Sequence, residues 1–160
     1  MKLASKIAAA GVCFVTLAGC SGSAEPTISS ASHSLVGDAG KLLASAFVRD
    51  AGVFQVTEKA EKDSDSECAP GSRQRFFRAQ GNFARPGQQS PGAAAGLIRS
   101  GLAALEYEEV VAPLDLFDDE LSVVVVRNAE AAVTFIVSAR TSPEPNIRIV
   151  GKTDCFEAGE

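Results

Sequence analysis

The first twenty residues constrain this chain more than any other feature, because they decide in which compartment the remainder folds. Lys2 and Lys6 supply a positive start, Ile7 to Leu17 an apolar run, and the small residues Ala18 and Gly19 follow it. Charge, apolar run and small residues in that order form the pattern of a cleaved export signal. A membrane-spanning helix is the competing reading, but the apolar stretch from Ile7 to Gly19 has 13 residues, and about 20 are needed to cross a bilayer. An ordinary signal peptide that releases a soluble protein is a second alternative, for which Ala18-Gly19 is a poor cleavage site.

The next residue is a cysteine, and the box Leu17-Ala18-Gly19-Cys20 resembles that of a bacterial lipoprotein precursor. The resemblance implies that the Cys20 thiol is diacylated and that residues 1–19 are removed just before it, so that Cys20 becomes the lipid-bearing first residue. Two acyl chains hold a protein stably to a bilayer where one binds reversibly. The segment Ser21 to Ser32 is small, polar and interrupted by Pro26. It reads as a flexible tether, with 20–32 as lipidated N-terminus and linker and 33–160 as a single domain. Ser21, in place of an aspartate after the cysteine, favours outer-membrane sorting in a Gram-negative source; elsewhere the anchor stays in the outer leaflet of the cell membrane. A small protein of this kind whose last strand runs into Thr153-Asp154-Cys155, with a second cysteine ahead of a mid-chain strand, also resembles the small uncharacterised lipoproteins of actinobacteria. That group supplies no catalytic residue.

Two of the 15 Lys and Arg and none of the 20 Asp and Glu lie in residues 1–19, so the remaining 141 residues carry 13 positive and 20 negative charges, a net of −7. A domain of that size buries one core, and its charge argues against a nucleic-acid partner. Cys13 leaves with the signal and Cys20 carries lipid, which leaves Cys68 and Cys155 as the remaining pair. Export places them where disulfides persist, so a Cys68–Cys155 bond is expected, worth roughly 4 to 5 kcal/mol in a simple loop-entropy account. Two distant cysteines lack the spacing of a redox motif, and the single histidine, His33, cannot complete a zinc site.

Periodicity predicts a helix over 33–49 carrying Leu35, Ala39, Leu42 and Ala46 on one face. Strands are predicted over 53–59 and 73–83, with a polar loop 61–70 between them and Gly81 as a bulge or an end. The best helix signal follows: Ser90 as cap, Pro91 at the first position, and an apolar stripe of Ala94, Leu97, Ile98, Gly101, Leu102 and Leu105. Strands are then expected over 107–112, 121–127, 131–140 and 146–152, the last three in antiparallel hairpins because their connections are too short for parallel crossovers. The expectation is an α+β fold: an antiparallel sheet of about five to six strands with two helices packed on one face and one disulfide. The run Val123-Val124-Val125-Val126 lacks polar alternation and is placed centrally, with cover on both faces.

Catalytic chemistry has little support in this pattern. Asp63-Ser64-Asp65-Ser66-Glu67 begins like a calcium loop, but Cys68 stands where glycine belongs and Gln74 where a bidentate glutamate is required. A solvated acidic turn is the alternative. Asp115, Asp118, Asp119 and Glu120, with Glu106, Glu108 and Glu109 before them, offer carboxylates for a hydrolase only if two of them meet across a cleft. His33 sits at the junction of tether and helix, and no G-x-S-x-G, G-x-G-x-x-G or G-x-x-x-x-G-K-[ST] string occurs. No cofactor and no metal site is implied.

One basic group stands out in the acidic chain: Arg73, Arg75, Arg78 and Arg85, interleaved with Phe76 and Phe77. Strand alternation puts Arg73, Arg75 and Phe77 on one face and Phe76 and Arg78 on the other. Such a patch suits anionic lipid headgroups or an acidic partner, and surface pairing with carboxylates is the plainer use of the same residues. Taken together, the residues point to a non-catalytic envelope lipoprotein, membrane-bound through Cys20, that binds an envelope protein or lipid partner or scaffolds at the membrane surface. The alternative is a carrier or sensor of an apolar ligand held between the 94–105 stripe and the valine-rich sheet, and a carboxylate-dependent hydrolase is the third reading. A carrier needs an internal cavity, a scaffold a filled core and an open surface.

Overall fold

The computed structural model describes residues 25–110 and 118–157; the expected export signal, Cys20 and Asp115 lie outside them. The fold is α+β, with three helices and a seven-stranded antiparallel sheet.

Helix α1 runs from Ile28 to Ala44 and begins five residues before the predicted start, so residues 28–32 of the expected tether are helical. Thr27 closes its first turn in a capping box with Ser30, each side chain serving the other's backbone. The helix extends upstream because Ala31 and Ser32 fall on the face already set by Leu35, Ala39 and Leu42 and are buried with it. It stops at Ser45, which ends α1 and caps α2, Ala46–Ala51, accepting from the Val48 amide. The single predicted helix is therefore two.

Strand β1, Gly52–Ser64, takes in the start of the expected polar loop and pairs with β2, Ser72–Phe83. Two register shifts interrupt β1, between Val56 and Glu58 and between Lys59 and Asp63. Ala60 adopts a left-handed conformation in the second of them. The bulges thus lie on β1 and not at Gly81, which pairs with Phe54. What Gly81 supplies is close approach, since a Cβ there would collide with the Val53 carbonyl. Helix α3, Pro91–Ala103, starts as predicted, with Ser90 Oγ accepting from the Ala93 amide and Pro91 at its first position.

Four strands follow: β3, Glu108–Glu109; β4, Leu121–Asn128; β5, Val133–Arg140; and β6, Ile147–Thr153. A seventh, β7, Phe156–Glu157, escaped prediction and pairs with β2 at Ser72 and Arg73. The strand order β1-β2-β6-β5-β4-β3 returns β6 to the side of β2. Alternation along β5 and β6 aims Val133, Phe135, Val137, Ala139, Ile147 and Ile149 at the helices, all fully buried. The helices cover this inner face alone. Helix α1 lies over β2, β5 and β6, and α3 over β4 and β5. Its stripe residues Ala94, Ile98, Gly101 and Leu102 are buried in the core. The valine run is accordingly not covered on both sides: Val124 and Val126 pair with Val137 and Phe135 inside, while Val123 and Val125 stand on the opposite face, half-buried.

Two contacts show how tightly the inner face is filled. A Cβ on Gly151 would stand 2.5 Å from Leu35 Cδ1 and 2.6 Å from Phe135 Cε1. Tyr107 meets Phe135 edge to face at 5.2 Å and donates its hydroxyl to Asp38 Oδ2 at 3.1 Å. Cys68 and Cys155 are bonded, 87 residues apart in sequence and 5.7 Å between Cα atoms. The bond fastens the β1–β2 connection to the chain end that forms β7.

Gly151→Ala forces Leu35 or Phe135 out of place and should lower stability by about 1 to 3 kcal/mol, read by denaturant melts; an unchanged midpoint would show that the α1 contact is looser than described. Burial, and then the Asp38 carboxylate, push the Tyr107 phenol well above its ordinary value of 10.0. The unfolded chain therefore ionises at pH values where the native one does not, so this contribution is whole below about pH 10 and is lost as pH rises further. With one Tyr and no Trp in the chain, alkaline absorbance titration reads Tyr107 alone. Native protein should ionise later than protein in denaturant, and coincident curves would contradict the burial.

Candidate functional site

The sheet has a second face, and no helix among the described residues covers it. Its composition follows from strand register. One row across it reads Val125, Ile136, Val150, Arg78 and Glu58, from β4 to β1. The row on one side reads Val123, Ser138, Arg148, Gln80 and Gln55, and on the other Arg127, Thr134, Lys152 and Phe76. Leu121 and Arg140 form a further pair at the near corner. Side chains on one pleat face of adjacent strands lie within contact distance. The result is a half-buried strip of β-branched residues with cations on either side.

At one end the face is closed by polar bonds. Gln74, 1% exposed, donates Nε2 to the Ser66 carbonyl. Lys152 pairs with Glu67 at 2.8 Å, which holds that carboxyl below its usual range through the hydrogen bond and the charge of Lys152. Arg127 grips Asp154 with two parallel bonds of 2.5 and 2.6 Å, a fork-on-carboxylate geometry. That hydrogen bond, helped by the Asp154 charge and opposed by burial, raises the guanidinium above its ordinary value. Arg78 bonds Glu58 and places its guanidinium 4.4 Å from the centre of the Phe76 ring. At the other end Arg148 is exposed and Arg140 half-buried, and among the described residues neither has a carboxylate within ion-pair distance.

The pleat divides the predicted basic group as alternation requires. Arg73 and Arg75 turn to the helix side and share Asp63, at 3.5 and 2.8 Å. That carboxyl is held below its usual range chiefly by its hydrogen bond to Arg75. Arg75 also reaches Ser32 Oγ at 3.4 Å. Phe77 enters the core and Phe76 is buried on the opposite face, so neither ring offers an exposed apolar contact. Arg85 lies beyond β2 in an exposed turn. Of the six residues singled out, the open face takes Phe76 and Arg78. Sequence inspection missed Arg127, Arg140, Arg148 and Lys152, although each alternates with core residues along a strand, a signal that becomes useful only once the register is known.

Among the described residues the other candidates do not converge. Asp63 and Glu67 are engaged by cations, and no group of three metal-ligating side chains occurs among the described residues. His33 is not at a junction; it stands on the exposed side of α1, within the helix. Asp118, Asp119 and Glu120 form the turn before β4, with Asp118 Oδ1 accepting from the Glu120 amide at 2.9 Å. Glu108 and Glu109 pair with the far end of β4, at Arg127 and Val126, roughly 20 Å from that turn at the rise of an extended strand. Glu109 is bound by Arg99 at 3.3 Å. The surface depressions around these residues are open, and none of those described is lined by Ala94, Ile98, Gly101 or Leu102.

No protein-family model matches this chain, and no curated protein or solved structure matches it either.

Asp154→Ala leaves Arg127 without its fork partner on a surface about one-third exposed. Solvent screening keeps the expected loss to about 1 kcal/mol or less, smaller still in high salt, as measured by melts at two ionic strengths. A loss of several kcal/mol would mean that the pair is part of the core rather than of the rim.

Proposed function

We propose that this chain is a membrane-anchored envelope lipoprotein of non-catalytic type, a domain that binds a partner or scaffolds at the membrane surface. The observation that carries this reading is the two-sided use of the sheet. One face is closed by α1 and α3 over fully buried residues, and the other presents a cation-flanked apolar strip to solvent. A surface of this kind is an interaction site more often than decoration. The Leu17-Ala18-Gly19-Cys20 box supports the anchor, and seven residues, 21–27, separate Cys20 from α1. Such a spacer reaches at most about 25 Å, so the domain works close to the bilayer. Carriage of an apolar ligand would need space between α3 and the sheet, where Ile98 and Leu102 pack with Val126, Phe135 and Val137.

Replacing Cys20 by Ala should move the protein from the membrane fraction to the soluble envelope fraction, or leave an uncleaved precursor. Intact-mass measurement of the wild-type protein should show residues 20–160 plus acyl chains. Unchanged membrane partition in the variant, or a wild-type mass without lipid, would overturn the anchor.

A further inference from the structure

We infer that the open sheet face is the side on which this domain rests against an anionic lipid bilayer, an assignment that builds on the membrane-surface reading above and adds the lipid class and the orientation. Arg78, Arg127, Arg140, Arg148 and Lys152 all project from this face. Three of them are paired there, Arg78 with Glu58, Arg127 with Asp154 and Lys152 with Glu67, and Glu108 and Glu157 stand at strand positions of the same face, so Arg140 and Arg148 are its cations without a carboxylate in ion-pair distance among the described residues. The chain from Cys20 onward nevertheless carries 20 acidic against 13 basic residues. The unpaired cations therefore gather at one end of the face, in a molecule that is acidic as a whole. An anionic surface repels the molecule in most orientations and is met by Arg140 and Arg148 in the one that brings that end of the sheet face down.

Shape and chemistry agree with a planar anionic partner. Four neighbouring strands, β4, β5, β6 and β2, make up the face, about 14 Å across at the usual strand spacing. Val125, Ile136 and Val150 are half-buried at the centre of the face, and Arg148 beside them is exposed. Guanidinium groups bind phosphate oxygens in pairs, and their apolar stems cover the valines. A second copy of the chain would set like charges against each other on this face. The end of the spacer is also suitably placed: Pro26 and Thr27 lie beside Glu130 and Ala131 at the β4–β5 turn, the sheet end from which Arg127 projects. Tethering there raises the local concentration of the face at the bilayer far above that of a free domain.

The test uses the exported full-length product incorporated into vesicles of phosphatidylcholine alone or with about three parts in ten phosphatidylglycerol. Flotation reads attachment, and phenylglyoxal modification read by peptide mass spectrometry reports each arginine. In the anionic vesicles Arg140 and Arg148 should be modified at least about threefold more slowly than in the neutral ones, with the difference abolished near 1 M salt. Arg49 and Arg85, exposed and away from the face, should react alike in both. Arg148→Glu should still float but lose the protection of Arg140. Equal rates in the two vesicles would overturn the assignment, as would protection that ignores lipid charge, which points to a protein on the face. Flotation with anionic vesicles alone supports the face and removes the lipid anchor. Flotation with neither removes both.

Discussion

The pairing of β2 with β6 is the interaction on which the rest of this structure depends. It joins Phe76 to Lys152 and Gly81 to Ile147 across some of the longest stretches of chain in the molecule. Before it forms there are two separate pieces, a β3–β6 meander and a two-stranded β1–β2 hairpin that is too small to bury its apolar side alone. Closing so long a loop costs entropy before any contact repays it. Three features secure the seam. Thr153 accepts from the Arg75 amide at 3.0 Å, β7 adds a pair to β2, and the Cys68–Cys155 bond fixes the chain end beside it. Helix α1 then lies across it, with Leu35 over Gly151. Glycine suits that position because the helix and the Phe135 ring already occupy the space of a side chain.

A seam that gathers both pieces into one sheet also creates two unlike faces. Inside, aliphatic and aromatic residues meet two helices and exclude water, with Tyr107 and Asp38 forming a polar bond at the edge of the core. Outside, the same strands carry the alternate residues, valine and isoleucine at the centre and arginine or lysine around them. The outer cations at one end are matched by Glu58, Glu67 and Asp154. Those at the other end are left to solvent or to whatever approaches. This uneven pairing is a by-product of strand alternation in a chain whose acidic residues gather in turns, in the helix layer and at the sheet edges, and it leaves Arg140 and Arg148 open on an acidic protein.

Much of the fold was legible because short-range physics wrote it. Ser90 and Pro91 announce α3, the stripe 94–105 fixes its buried face, and the spacing of β4, β5 and β6 leaves only hairpins between them. An expected oxidising compartment and the two remaining cysteines were enough to name Cys68–Cys155. Where the reading failed, the cause was longer in range. Glycines at 37 and 40 and the serine-rich segment before them hid the true start of α1, which is set by burial of Ala31 and Ser32 against the sheet. Gly81 read as a bulge because composition cannot distinguish a break in pairing from a close approach of neighbouring backbone. Two residues of β7 carry no propensity of their own and exist because β2 is next to them.

By itself the sequence determined the α+β class, the disulfide and the alternation that separates Phe76 and Arg78 from Phe77 and Arg75. Only the tertiary structure decided that Val123 and Val125 are left without helical cover, and that Arg78, Arg127, Arg140, Arg148 and Lys152 belong to one surface. The physical reason is that a strand's two faces are encoded locally, by period, whereas which faces lie side by side depends on register between distant segments. Register is fixed by the fit of the whole inner face, so a site built on the outer face is read from the structure or not at all.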